Sequence, residues 1–217
     1  TGSTEVGRKI RKITAGKGKK VTLELGGKSP FIIFDDSDID SAIEGLVDAI
    51  WLNQGEVCCA GSRLLVQESI ADIVQKKIIE RIKKLRVGNP LDKSVDMGAI
   101  INESQLGQIS KMVEKSRGEG ASIFQPKINC NEKGCFYPPT LITDVEPSME
   151  IVREEIFGPV LVMLTFRTPN EAVEISNNTQ YGLAASIWTE NINLALDMAP
   201  KIKAGVIWIN SSNIFDA

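Results

Sequence analysis

The chain has 217 residues, 42% of them hydrophobic, and a net charge of −3, which is enough to bury a core as one large domain or two small ones. Neither sign of charge dominates, no run reaches the roughly 18 apolar residues a membrane helix needs, and no leader pattern opens the chain, so nucleic acid and membrane partners have no support. Histidine is absent, which excludes a Ser-His-Asp triad, a Cys-His dyad and any His-ligated zinc built from these residues.

In chain order, Thr1-Gly2-Ser3-Thr4-Glu5-Val6-Gly7 precedes a basic helix over 8–13. Small residues and free amides at a helix start suit a phosphate, although one such run is a weak motif. Apolar runs over 21–24 and 29–34 are predicted as strands. Ile39, Ala42, Ile43, Leu46, Val47 and Ile50 then repeat at helical spacing after Ser37, a good N-cap. A strand over 64–67 leads to a second helix, with Ile70, Ile73, Val74, Ile78, Ile82 and Leu85 after Ser69 and a stop at Val87-Gly88-Asn89-Pro90. Leu106, Ile109 and Val113 mark a third helix, and 122–124 a short strand. A loose stretch over 125–134 follows, framed by Cys130 and Cys135 and read as a surface loop. The strand over 160–166 precedes Thr168-Pro169-Asn170-Glu171, a capping box with Pro at the first helical position. A strand over 184–188, a helix over 192–203 that Pro200 should bend or end, and a strand over 206–209 close the chain.

Strands alternating with helices predict an α/β fold, a doubly wound and mostly parallel sheet with helices on both faces. Most runs are nearly continuously apolar, as strands covered on both sides should be. In such sheets ligands gather at the carboxyl ends of strands, so chemistry is expected at strand exits. The four cysteines are too sparse for a disulfide framework and suit a reducing, cytoplasmic compartment. A chain opening on Thr1 instead of Met is expected to be a piece of a longer protein.

Three stretches carry candidate chemistry. In Glu24-Leu25-Gly26-Gly27-Lys28-Ser29-Pro30 a carboxylate ends an apolar run before two glycines. It is either a solvated turn residue or a partly desolvated general base. In Asn53-Gln54-Gly55-Glu56-Val57-Cys58-Cys59-Ala60-Gly61-Ser62-Arg63 a cysteine pair sits among turns. Such a thiol is either buried and inert or activated by surrounding amides; a neighbouring pair seldom closes a good disulfide. Arg153-Glu154-Glu155-Ile156-Phe157-Gly158-Pro159 is either an ordinary turn or a grip on a planar ligand and its hydroxyls.

Together, T-G-S-T-E-V-G at 1–7, L-E-L-G-G-K-S-P at 23–30, N-Q-G-E-V-C-C-A-G-S-R at 53–63, V-G-N-P at 87–90, Y-P-P-T-L at 137–141, E-E-I-F-G-P-V at 154–160, N-N-T-Q-Y-G-L-A-A at 177–185 and V-I-W-I-N at 206–210 resemble the NAD(P)-dependent aldehyde dehydrogenase superfamily. The phrases V-D-A-I-W, L-L-V-Q-E-S, V-D-M-G-A and F-Y-P-P-T-L further resemble its family 16. The resemblance implies oxidation of an aldehyde to an acid with NAD or NADP, NAD being favoured. Cys58 is then the nucleophile and Cys59 a bystander, and Glu24 activates the water that releases the acid. Thr1, Gly2, Ser3, Val6 and Leu25 lie along the cofactor. Glu155 holds the ribose beside the nicotinamide, and Phe157 packs there. Asn210 and Phe215 approach the substrate tunnel. No metal is implied.

The resemblance also assigns 1–24 to the end of a dinucleotide-binding domain and 25–217 to the catalytic domain, cut before the segment through which the family oligomerises. The full protein is expected to be a homo-oligomer, and this piece weakly active or inactive. Glu56 departs from the family's glutamine, and its charge lies two residues from the thiol. Two alternatives follow from the same likeness. One is a family 16-like scaffold with little activity, which would be expected to lose Cys58 and Glu24. The other is an acylating dehydrogenase that passes the acyl group to coenzyme A, which would tend to lack Glu24.

Overall fold

The structure, a computed structural model, describes residues 1–128 and 133–214. Cys130 and Phe215 lie outside the described residues. Among the described residues seven strands form one sheet: β1 Pro30–Ile33, β2 Arg63–Gln67, β3 Ser122–Phe124, β4 Thr140–Thr143, β5 Val160–Phe166, β6 Ala184–Trp188 and β7 Val206–Ile209, in the order β3-β4-β5-β2-β1-β6-β7. Every pairing is parallel except β3 with β4.

The strands alternate sides, as the two-residue period of a strand requires. Phe31, Ile33, Leu64, Val66, Leu161 and Met163 face one core, with α2 (Ile39–Trp51) and α3 (Ala71–Ile82) packed over it. Ile32, Leu65, Val160, Val162 and Leu164 face the other, under α4 (Glu103–Gly118), α5 (Glu150–Arg153), α6 (Pro169–Asn177) and α7 (Ile192–Met198). On α2, Ile43, Leu46, Ile50 and Trp51 are almost wholly buried, and each such side chain contributes about 1.5–3 kcal/mol relative to exposure. The doubly wound expectation holds.

Several local expectations shift. Residues 21–24 form no strand: Val21, Thr22 and Glu24 are exposed, and the segment finds no ladder partner among the described residues. α1 runs Thr4–Thr14, earlier than the basic stretch alone indicates, because the Ser3 hydroxyl accepts the Val6 N–H at 3.3 Å. The cap of α2 is Asp38, whose carboxylate accepts from the Ser41 N–H, while the Ser37 hydroxyl donates to the Phe34 carbonyl. The Ser69 hydroxyl likewise caps nothing and donates to Asp35. Thr168 caps α6, but the Glu171 carboxylate reaches the Arg167 N–H instead of the cap's own. α7 stops at Met198, and Pro200 sits in the following 3-10 turn Ala199–Lys201. β4 and α5 are additions; both are only four residues long, too short for a period to show.

The sheet order positions the site. β5, β2 and β1 are adjacent and parallel, so the segments leading into them emerge side by side at the amino ends of the strands.

Candidate active site

Those three segments carry the three candidate stretches. Glu24 to Ser29 leads into β1, Cys58 to Ser62 into β2, and Glu155 to Pro159 into β5. The chemistry therefore gathers at strand starts, which corrects the expectation of strand exits. The rule for carboxyl ends describes loops that leave a strand for a helix; here each reactive loop instead ends on a strand. A cavity of about 370 Å³ lies at this convergence, lined by Thr1, Gly2, Ser3, Glu24, Leu25, Gly26, Cys58, Glu155 and Phe157, and by Gln105, Gln108, Met112 and Ile156.

The cysteine-bearing loop begins where α2 ends. Asn53, Gln54 and Gly55 all take left-handed backbone angles, with φ of 49°, 59° and 71°, and this run turns the chain back toward β2. The Gln54 carbonyl oxygen of the side chain accepts the Gly98 N–H at 2.9 Å, and a Glu56 carboxylate oxygen accepts the Ile101 N–H at 3.1 Å. Burial pushes the Glu56 carboxyl up, and the Ile101 N–H pulls it back. Glu56 thus ties the cysteine-bearing loop to the chain ahead of α4. Cys58 is partly buried, and its N–H donates to no other backbone group among the described residues. Cys59 is buried, and its thiol donates to the Asn213 side-chain oxygen at 3.2 Å. Burial, with the neighbouring Cys58 thiol, pushes Cys59 up to about 11.

The β1 approach is built from close contacts. A Cβ on Gly27 would lie 2.5 Å from the Cys58 carbonyl oxygen, and one on Gly26 would overlap the Glu155 carboxylate. The Gly27 N–H donates to Glu155 Oε1 at 3.0 Å. Burial pushes the Glu155 carboxyl up, opposed by that N–H and by the Lys28 charge. Gln105 donates to the carbonyls of Ile156 and Phe157, 2.9 Å each, and so holds the segment in which Phe157 takes a φ of 51°. The Glu24 carbonyl accepts the Gly2 N–H at 3.0 Å, and Leu25 packs on Gly7. These two contacts set the amino end of α1 at the cavity rim.

Of the expected site residues, Thr1, Gly2, Ser3, Glu24, Leu25, Cys58, Glu155 and Phe157 come together on this cavity. Glu24 is exposed, not partly desolvated as expected. Val6 lies one turn into α1, outside the lining. Asn210 is at the opposite, carboxyl end of the sheet, with its amide exchanging two bonds with the Thr189 backbone, 3.0 Å each; Thr189 in turn donates to Asp36. Gln105, Gln108 and Met112 were not anticipated. Their spacing on α4 places them on one stripe beside the buried Ile109 and Val113, so the helical period held the signal. Lys28 was also missed: it is 1% exposed, and its Nζ has no hydrogen-bond partner among the described residues. Among the described residues no group of three or more Cys, Asp or Glu side chains could hold a metal ion, and no helix is long and apolar enough to cross a membrane.

A family model described as the aldehyde dehydrogenase family matches residues 1–217. An aldehyde dehydrogenase of Enchytraeus buchholzi is 46% identical over 219 residues, covering 99% of this chain and 44% of that protein. Aldehyde dehydrogenase, cytosolic 1, of Rattus norvegicus is 42% identical, covering 97% of this chain and 42% of that protein. Betaine aldehyde dehydrogenase of Staphylococcus aureus, solved in complex with NAD+, matches with a TM-score of 0.95 at 38% identity, over 100% of this chain and 44% of that one. The chain thus spans less than half the length of the relatives it matches.

Proposed function

The chain belongs to the aldehyde dehydrogenase family, and from that premise we propose that it carries the catalytic cavity of an enzyme that oxidises an aldehyde to a carboxylic acid with NAD+ or NADP+. One observation supports this above the others: a thiol, a carboxylate that can serve water and a second carboxylate over a glycine cradle all line one cavity. Its volume, about 370 Å³, is in the range of small-molecule sites and suits a planar ring and one sugar.

The residues fit a nicotinamide ribose. Glu155 accepts ribose hydroxyls beside Gly26, where no Cβ intrudes, and Phe157, Leu25, Ile156 and Met112 offer an apolar wall for the ring. Thr1, Gly2 and Ser3 line the approach at the start of α1, where the Ser3 backbone amide can meet a phosphate while the Gly2 N–H is held by the Glu24 carbonyl. The bound cofactor supplies the hydride acceptor, with NAD favoured. Cys58 as thiolate attacks the aldehyde carbon and forms a thiohemiacetal. Its own N–H is a donor for the resulting oxyanion. Loss of hydride from that carbon leaves a thioester on Cys58. Glu24 takes a proton from water, the hydroxide adds to the thioester, and the acid departs with the thiolate restored. Residues 1–24 are the end of the cofactor domain and 25–217 the catalytic domain in this reading.

Assaying the full-length protein with a panel of aldehydes and either cofactor tests the proposal. Wild type should reduce the cofactor; Cys58→Ala should lose turnover; Glu24→Gln should slow it by about 10²–10⁴ and accumulate acyl-enzyme visible in the intact mass. Undiminished turnover in Cys58→Ala overturns the mechanism, and a wild type inert toward every aldehyde favours the scaffold alternative.

A further inference from the structure

We infer that Lys28 is a positioning residue whose buried ammonium acts through Glu155 to set the grip on the cofactor ribose; the inference rests on the role proposed for Glu155 above. Lys28 is 1% exposed, and its Nζ makes no hydrogen bond and no ion pair among the described residues. A buried cation in that condition is costly, and an apolar side chain of equal length would fill the space without the cost. Packing therefore does not explain the charge. The cavity beside it, about 10 Å³ and lined also by Ser29, Ser176 and Tyr181, has room for one water and no larger ligand.

The charged groups facing Lys28 point to Glu155. From β2 comes Arg63, whose two terminal guanidinium nitrogens donate to the Ile175 and Ser176 carbonyls at 2.7 Å each, while its buried Nε has no hydrogen-bond partner among the described residues. From the segment after α5 come Glu154 and Glu155, the carboxylates among the described residues whose charge acts on Lys28. After α6 comes Tyr181, whose hydroxyl donates to Glu154 at 3.3 Å, and after the 3-10 turn comes Lys203 on the rim of the small cavity. Glu154 is further engaged by Gln180. Among the described residues Glu155 is held by the Lys28 turn: Gly26 leaves it room, the Gly27 N–H binds it, and the Lys28 charge opposes its protonation. Burial first, and then the Arg63 charge, lower Lys28 to about 7, against the pull of Glu155 and Glu154. The turn thus loses its positive charge as pH rises above neutrality, and the carboxylate beside it loses its counter-charge.

The experiment titrates NAD+ into the full-length protein by tryptophan fluorescence from pH 6 to 9, without aldehyde, for wild type, Lys28→Met and Glu155→Gln, with thermal unfolding of each. Wild-type Kd should rise severalfold across that range. Lys28→Met should bind severalfold more weakly at pH 6, with little further pH dependence and an unfolding midpoint equal to or above wild type. Glu155→Gln should also lose the pH dependence. A wild type that binds no NAD+ overturns the reading of Glu155 and this inference with it. Binding by Lys28→Met that matches wild type at every pH overturns the inference and leaves that reading standing. So does a lowered midpoint with equal weakening at all pH values, the mark of a packing role. If Lys28→Met does not fold, a wild-type Kd flat from pH 6 to 9 overturns it.

Discussion

Cys58 and Cys59 are neighbours in sequence with different surroundings. Cys58 lines the cavity, half-exposed; Cys59 turns into the protein, and its thiol is spent on Asn213. Only the thiolate is reactive, and Cys59, held up at about 11 by burial, has almost none at neutral pH. An alkylating reagent at pH 8 should therefore modify Cys58 at least about tenfold faster than Cys59, read by peptide mass mapping. Preferential labelling of Cys59 would refute the assignment of the two thiols. The sequence pattern could separate the pair only by likeness to a family motif, because burial and the Asn213 contact, 154 residues away in sequence, leave no local trace. Lys28 was hidden for the same reason. A lysine between Gly27 and Ser29 reads as a solvated turn, and its burial is decided by Arg63, Ser176 and Tyr181, which arrive from distant segments.

At the scale of elements, the turn into β1 shows how two adjacent glycines serve different ends. Neither has positive φ, so space and not backbone freedom is what they supply. At Gly26 the obstacle is the end of the Glu155 side chain, which can swing aside. At Gly27 it is the Cys58 carbonyl, which is main chain and cannot move without the loop that carries it. Gly26→Ala should keep stability within about 1 kcal/mol and, on the role proposed for Glu155, weaken NAD+ binding by displacing its carboxylate. Gly27→Ala should cost about 1–3 kcal/mol by overpacking and disturb the reaction of Cys58. Urea unfolding and an NAD+ titration separate the two, and equal stability losses would contradict the account. Both glycines were legible as a site of close approach. What approaches each was not, since it depends on β1, β2 and β5 being neighbours.

At the scale of the whole molecule, that adjacency is the one long-range fact from which the site follows. The continuous apolar runs already announced a parallel sheet covered on both faces, and six of the seven strands were legible from them. Strand order was not, because parallel pairing leaves no turn signal and each crossover hides its partner. For that reason the reactive stretches could be found but their shared edge could not, and Asn210 could not be recognised as lying at the far end of the sheet. The design also has a thermodynamic signature. Lys28 has a pKa of about 7 in the folded protein against an unfolded value of 10.5. Between those values the unfolded chain binds the extra proton, so stability rises with pH across the window, by up to about 1.4 kcal/mol per unit. Below pH 7 both states are protonated and the full penalty of the buried charge is present. Cys59 acts oppositely, since its thiol is raised from 9.0 to about 11, and stability from it falls above pH 9. Glu155 and Glu56 are raised above the ordinary carboxylate value by burial, so stability from them falls as pH rises through the carboxylate range and is already lost by neutrality. From pH 7 to 9 the lysine dominates these four, and urea unfolding should show wild-type stability climbing there, with the climb absent in Lys28→Met. A climb of the same size in the variant would place the titrating group elsewhere, and the counter-charge role given to Lys28 would lose its thermodynamic basis.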